Sequence, residues 1–239
     1  MARPRKSFAL WLTGHILHGL FAILIFGVCG LLLWRVLFSG LLPSEMKRLS
    51  PNAALAAAYA EQGDLSLFSQ EQATVTRGES NQGYFGVPRF VFIEEAKQVQ
   101  VVLRYNNGTL KHVREDFGLS ELPPRGEQIF DTTLVTVTDL TPDDQSDNKD
   151  GSETLGKTRL TPTSAEFDTT LLYTYCLLTF DNVEIKPDTI VAYLDVYYSA
   201  AVDYDAAAYG TLRLYHAEEA RIEEKLSSKE KRLLADFKD

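Results

Sequence analysis

Val99-Gln100-Val101-Val102-Leu103-Arg104-Tyr105 is the stretch on which the reading of the fold turns. In an extended chain successive side chains point to opposite faces, so Val99, Val101, Leu103 and Tyr105 share one face and Gln100 and Arg104 share the other. The alternation predicts a strand with one buried and one wet face, as in an antiparallel sheet. Outward from it, similar β-rich runs recur at 84–93, 109–114, 128–138, 169–180, 189–199 and 210–216. Between them stand turn signals: Asn106-Asn107-Gly108, Pro123-Pro124-Arg125-Gly126, Asp181-Asn182 and Lys186-Pro187-Asp188. No segment among them is long enough to serve as a helical crossover between parallel strands. About seven strands on this spacing predict a mainly-β soluble domain, an antiparallel β-sandwich. It is immunoglobulin-like in architecture but lacks the two strand cysteines around a tryptophan. Asn107-Gly108-Thr109 matches a glycosylation sequon, but Asn-Gly is better read as the tip of a hairpin.

Upstream the chain changes character. From Ser7 to Trp34 there is no Asp, Glu, Lys or Arg, and about 20 apolar residues suffice for a helix to cross a bilayer core. Trp11 and Trp34 are separated by roughly 35 Å at a helical rise of about 1.5 Å per residue. Both indoles can therefore lie at interfaces, with Arg35 just outside. A cleaved signal peptide has a shorter apolar region followed closely by small residues, whereas Arg35, Pro43 and Lys47 follow here. An uncleaved anchor with the lipid bilayer as its partner is expected.

Charge bears on sidedness. Arg3, Arg5 and Lys6 on one side of the apolar run balance Arg35, Lys47 and Arg48 on the other. The α-amino group tips the count toward a cytoplasmic N-terminus and an extracytoplasmic domain. Of 24 Lys/Arg only six, and of 33 Asp/Glu only one, fall in residues 1–48, so the remainder holds 18 bases against 32 acids, close to −14. So acidic a body repels phosphate backbones, and nucleic-acid binding is set aside. The two cysteines, Cys29 in the apolar run and Cys176 in an expected core strand, cannot meet. A domain without internal disulfides fits a bacterial plasma membrane better than a small eukaryotic secreted scaffold.

The expected organisation is a basic tail at 1–9, a transmembrane helix at 10–34, a stalk at 35–66, the β domain at 67–217 and a charged helical segment at 218–239. In the stalk, Ser50-Pro51 supplies an N-cap and first-turn proline for an Ala-rich helix ending near Gly63. Leu55 and Tyr59, four apart, give that helix one apolar stripe. At the far end Ser227-Ser228-Lys229-Glu230 has capping-box spacing, with Leu233, Leu234 and Phe237 behind it.

No catalytic, nucleotide-binding or cofactor motif stands in the sequence. The acidic stretch Asp139 to Glu153 places Gly151 where an EF-hand needs its glycine, but Lys157 where the bidentate Glu belongs. His15 and His18 lie three apart on one face of the apolar helix with no acid in the span to complete a relay or metal site. The strongest recognition signal is Tyr193-Leu194-Asp195-Val196-Tyr197, where Tyr193, Asp195 and Tyr197 share a strand face, together with Tyr173 and Tyr175 nearby. Paired through the turn at 181–188, those strands would form a tyrosine surface with an acidic centre, suited to a peptide, glycan or protein partner. Two functions follow from these features. The first is a membrane-anchored, non-enzymatic binding module with a membrane or surface protein partner. The second is a surface hydrolase using paired carboxylates.

Overall fold

The computed structural model describes residues 8–39, 42–70, 84–139, 155–204 and 206–237. It divides into two compact units, Met1–Leu41 and Leu42–Asp239. The first contains α1 (Phe8–Ser39), a helix of 32 residues. Its stretch Ile16–Trp34 is long and apolar enough to cross a membrane.

The second unit is built from two antiparallel sheets. β1 (Leu67–Ser69), β2 (Phe85–Ile93), β3 (Gln98–Asn106), β6 (Ser164–Thr169), β7 (Tyr173–Phe180) and β10 (Ile222–Glu224) form one, in the order β10-β1-β2-β3-β7-β6. β4 (Phe130–Asp139), β5 (Leu155–Leu160), β8 (Thr189–Tyr198) and β9 (Gly210–His216) form the other, in the order β5-β4-β8-β9. One hydrophobic cluster draws on both sheets. Val99, Val101, Leu103 and Tyr105 of β3 meet Leu134 of β4, Leu194 of β8 and Leu212 of β9. Gly210 of β9 leaves room for Phe85 of β2: a Cβ there would lie 2.9 Å from the Phe85 ring.

The face of β3 expected to be wet is covered. Gln98, Gln100 and Val102 are all buried, because the first residues of this unit, from Leu42 to Asn52, pack on them. Met46 is buried against Val102, Tyr175 and Leu177. Beyond it, Ser50 pairs its backbone with the Gln100 amide: its N–H donates to Oε1 at 2.8 Å, and its carbonyl accepts from Nε2 at 2.8 Å. Arg89 fixes the same segment by donating to the Arg48 carbonyl at 2.8 Å. The helix α2 (Ala53–Gln62) follows, capped by the Asn52 side chain and closed by Gly63 in the left-handed conformation at φ 76°. Thus the segment read as a stalk is docked from Leu42 onward. Leu55 is fully buried, and with Leu49, Ile93 and Leu234 it forms a second cluster on the outside of the six-stranded sheet. Leu234 belongs to α4 (Ser228–Ala235), whose Ser227–Glu230 capping box forms as its spacing implies.

Other expectations require correction. Residues 109–114 are not a strand, and Asn107-Gly108 is not a hairpin tip. Both lie in α3 (Asn107–Asp116), capped by Asn106 reciprocally with Thr109. The apolar positions Leu110 and Val113 are three apart, a helical interval, and both are buried. Residues 155–160, absent from the expected strands, form β5, which pairs antiparallel with β4, and the charged segment after His216, expected to be helical, contributes β10. The acidic residues at 140–153 lie outside the described residues.

Two substitutions report on the docked segment. Leu55→Ala should lower unfolding free energy by about 2–5 kcal/mol, the usual cost of emptying a buried leucine site. Gln100→Ala should cost about 1–3 kcal/mol for each Ser50 backbone group left unsatisfied. Urea titration of the full chain in detergent micelles measures both, and a neutral result for either shows that the segment is not docked there.

Candidate functional site

The five residues expected to share a recognition face fall on two different sheets. β7 pairs with β3 and β6, and β8 pairs with β4 and β9. The turn at 181–188 therefore carries the chain from one sheet to the other instead of closing a hairpin. Tyr173 and Tyr175 lie on the outer face of the six-stranded sheet, ring centroids 6.1 Å apart, with the Arg104 guanidinium 4.6 Å above the Tyr173 ring. Tyr175 is fully buried beneath the Met46 segment, and burial pushes its phenol above the ordinary value. On the other sheet Tyr193 is half-buried against Val135, Val137 and Val191. Asp195 accepts a hydrogen bond from Thr211 Oγ1 at 2.7 Å. Tyr197 is buried and stands edge-on to Tyr204 at 5.1 Å, its phenol raised chiefly by burial and then by Asp195. Of the five, only Tyr173, Tyr193 and Asp195 reach the surface. Trp34 is exposed on α1, and the side chains of Trp11 and Arg35 lie outside the described residues.

Two arrangements escaped sequence reasoning. The first is a cavity of about 210 Å³ between the docked segment, the edge strand β6 and α4, with Glu45, Ser50, Glu166, Leu177, Glu230 and Leu233 in its lining. Three carboxylates converge on it, each with a structural partner. Glu45 pairs with Arg48 at 3.1 Å, and Glu166 accepts from Ser50 Oγ at 2.5 Å. Glu230 accepts from the Leu49 N–H at 3.3 Å and from Ser227 in its capping box. The space is below the roughly 300–1,000 Å³ of ordinary small-molecule pockets.

The second is a polar network. Gln98 Nε2 donates to Asp181 Oδ1 at 2.7 Å and to Asn52 Oδ1 at 3.1 Å, while its own Oε1 accepts from Gln100 at 2.8 Å. Thr163 Oγ1 donates to Asp181 Oδ2 at 2.7 Å. Burial alone would push the Asp181 carboxyl up, but the hydrogen bonds from Gln98, Thr163 and Asn52 together outweigh it and hold the group below its ordinary range. The network ties α2's cap to β3 and to the end of β7. Its signal in the sequence is two glutamines sharing a strand face with Val102.

Among the described residues no three His, Cys, Asp or Glu side chains are grouped so as to hold a metal ion. Cys176 is buried, which raises its thiol to about 12 and leaves it protonated and unreactive at neutral pH.

Asp181 makes acid stability a readout of the network. Because its folded value is depressed, its contribution is fully present above about pH 4 and is lost as pH falls through the folded value. Asp181→Asn should lower stability at pH 7 and flatten the decline between pH 5 and pH 2. Equal slopes for the two proteins in urea titrations across that range would remove Asp181 from the account. Comparison with family models, with curated proteins and with solved structures finds no match to this chain.

Proposed function

We propose that this chain is a membrane-anchored, non-enzymatic interaction module: α1 spans a bilayer, the N-terminus is cytoplasmic, and an extracytoplasmic β-sandwich holds a protein partner near the surface. The observation that carries the reading is the docked segment Leu42–Gln62. It packs on the sheet as part of the β unit, which begins at Leu42, where the unit of the apolar helix ends in the sequence. A β unit that begins directly after the apolar segment in the sequence is suited to positioning. The carboxylates of the 210 Å³ cavity are occupied as ion-pair, hydroxyl and cap partners, which weighs against hydrolysis by a free acid pair.

The partner face is the outer side of the four-stranded sheet. Arg159, Val135, Tyr193 and Arg213 lie in one cross-strand row, with Asp195 on the same side of β8. This row gives an otherwise acidic domain a tyrosine beside Arg213, which pairs with Glu219 at 2.6 Å, and a second arginine, Arg159, beyond Val135; tyrosine and arginine are residue types that anchor protein interfaces.

Two outcomes are expected. Protease added to intact cells should cleave the β domain, and protection from it places the domain on the cytoplasmic side. A photo-crosslinking residue in place of Tyr193 should give an adduct of defined mass in native membranes, whereas one at Ile222, exposed on β10, should not. Equal labelling from both positions contradicts the assignment of the face.

A further inference from the structure

An open sheet has two edges, and the edges of this unit differ in how they are finished. The six-stranded sheet ends at β10 and β6, and the four-stranded sheet ends at β9 and β5. β10 is only three residues long. β9 is closed at its last residue by a side chain: the His216 N–H donates to Gln70 Oε1 at 2.9 Å, and its carbonyl accepts from Gln70 Nε2 at 3.0 Å. β5 and β6, six residues each, pair only with β4 and β7 among the described strands. An edge of this kind turns half of its N–H and carbonyl groups outward, a template on which a further strand can add.

Register fixes which side chains each edge carries. Glu166 and Asp168 of β6 stand opposite Leu177 and Tyr175 of β7, so they lie on the outer face, where those two residues pack with Met46. Ala165 and Phe167 lie on the inner face, packed against the main core and only partly buried. On β5, Lys157 and Arg159 stand opposite Val137 and Val135, again on the outer face. Leu160 stands opposite Leu134 on the inner face and is also partly buried. One edge therefore carries two acids at alternate positions, and the other carries two bases at the same spacing. Glu166 accepts from Ser50 Oγ and Arg159 donates to the Tyr204 carbonyl. Among the described residues neither Asp168 nor Lys157 takes part in an ion pair.

We propose that β6 of one copy of this chain pairs with β5 of a second copy, so that the six-stranded sheet of the first runs on into the four-stranded sheet of the second. In an antiparallel register that sets Glu166 opposite the partner's Arg159, Asp168 falls opposite the partner's Lys157, both pairs on the outer face. The same register sets Ala165 against the partner's Leu160 on the inner face and covers Phe167 beside it. Pairing of like edges is disfavoured. β6 on β6 brings acid to acid, β5 on β5 brings base to base, and like charges directly opposite are destabilising. The charge pattern thus selects the mixed pairing over both alternatives. The association is separate from the reading of α1 as a span.

Sedimentation of the full chain in detergent micelles, with many micelles per chain, tests it. The native sequence should associate reversibly as concentration rises, and more weakly at high salt. Asp168→Lys and Lys157→Asp should each raise the dissociation constant by roughly tenfold, the scale of exchanging one opposite-charge cross-strand pair for a like-charge one. The chain carrying both changes again has complementary edges and should associate as the native sequence does. That restoration separates charge pairing from a fold defect, because a second reversal on another strand does not repair a damaged fold. A native chain that stays monomeric across the concentration range would overturn the pairing. Association left unchanged by either single reversal would overturn it too, since the contact then runs through α1 or another face. A double variant that associates no better than the single ones would equally contradict it.

Discussion

The pairing of the Gln100 side chain with the backbone of Ser50 does locally what a neighbouring strand would do. It satisfies one N–H and one carbonyl of a segment that has no sheet of its own. The outer face of β3 and β7 presents Gln98, Gln100, Val102, Tyr175 and Leu177, a mixture that is stable under cover only if the amides find partners and the apolar atoms find contact. Leu42 to Gln62 provides both, through Met46 for the apolar part and through Ser50, Asn52 and Asp181 for the polar part. Once it lies there, α2 offers Leu55 to Ile93 and α4, and β10 can pair with the short strand β1 beside β2. The six-stranded sheet is therefore closed on its outside by chain from both extremities of the unit.

The arrangement bears directly on the proposed role. A docked segment makes residues 42–62 part of the ordered β unit instead of a loose leader to it. The four-stranded sheet presents Tyr193, with Arg213 beside it on β9, from a preformed surface. A partner meeting a preformed face loses less freedom on binding than one that must order it.

Strand alternation made the core legible in the sequence. Val99, Val101, Leu103 and Tyr105 could be assigned to one face because a period of two leaves no other choice, and the runs ending at Ile93, Phe180 and His216 follow the same rule. The capping box at Ser227 was legible because its reciprocal bonds need fixed spacing. What alternation could not convey was the state of the opposite face. Glutamine reads as wet, and only its partners in space, Ser50 and Asp181, show it buried. The helix at 107–116 was obscured by Asn106-Asn107-Gly108, since the same residues serve an N-cap or a tight turn. The tyrosine surface failed as a single face because pairing of β7 with β8 depends on which sheet each joins, and neither strand encodes that locally. Strands β1 and β10, three residues each, are too short to show a period at all.

Residues 42–66 are structurally part of the β domain. Amide hydrogen exchange on the full chain in lipid nanodiscs checks this at Ser50, Leu55 and Ala56, whose N–H groups donate to Gln100 Oε1, Asn52 Oδ1 and the Asn52 carbonyl. Protection comparable with that of the β3 amides is the predicted result, since docked segment and sheet should open only together. Exchange at the rate of an unstructured chain at these three positions, with β3 still protected, would contradict it.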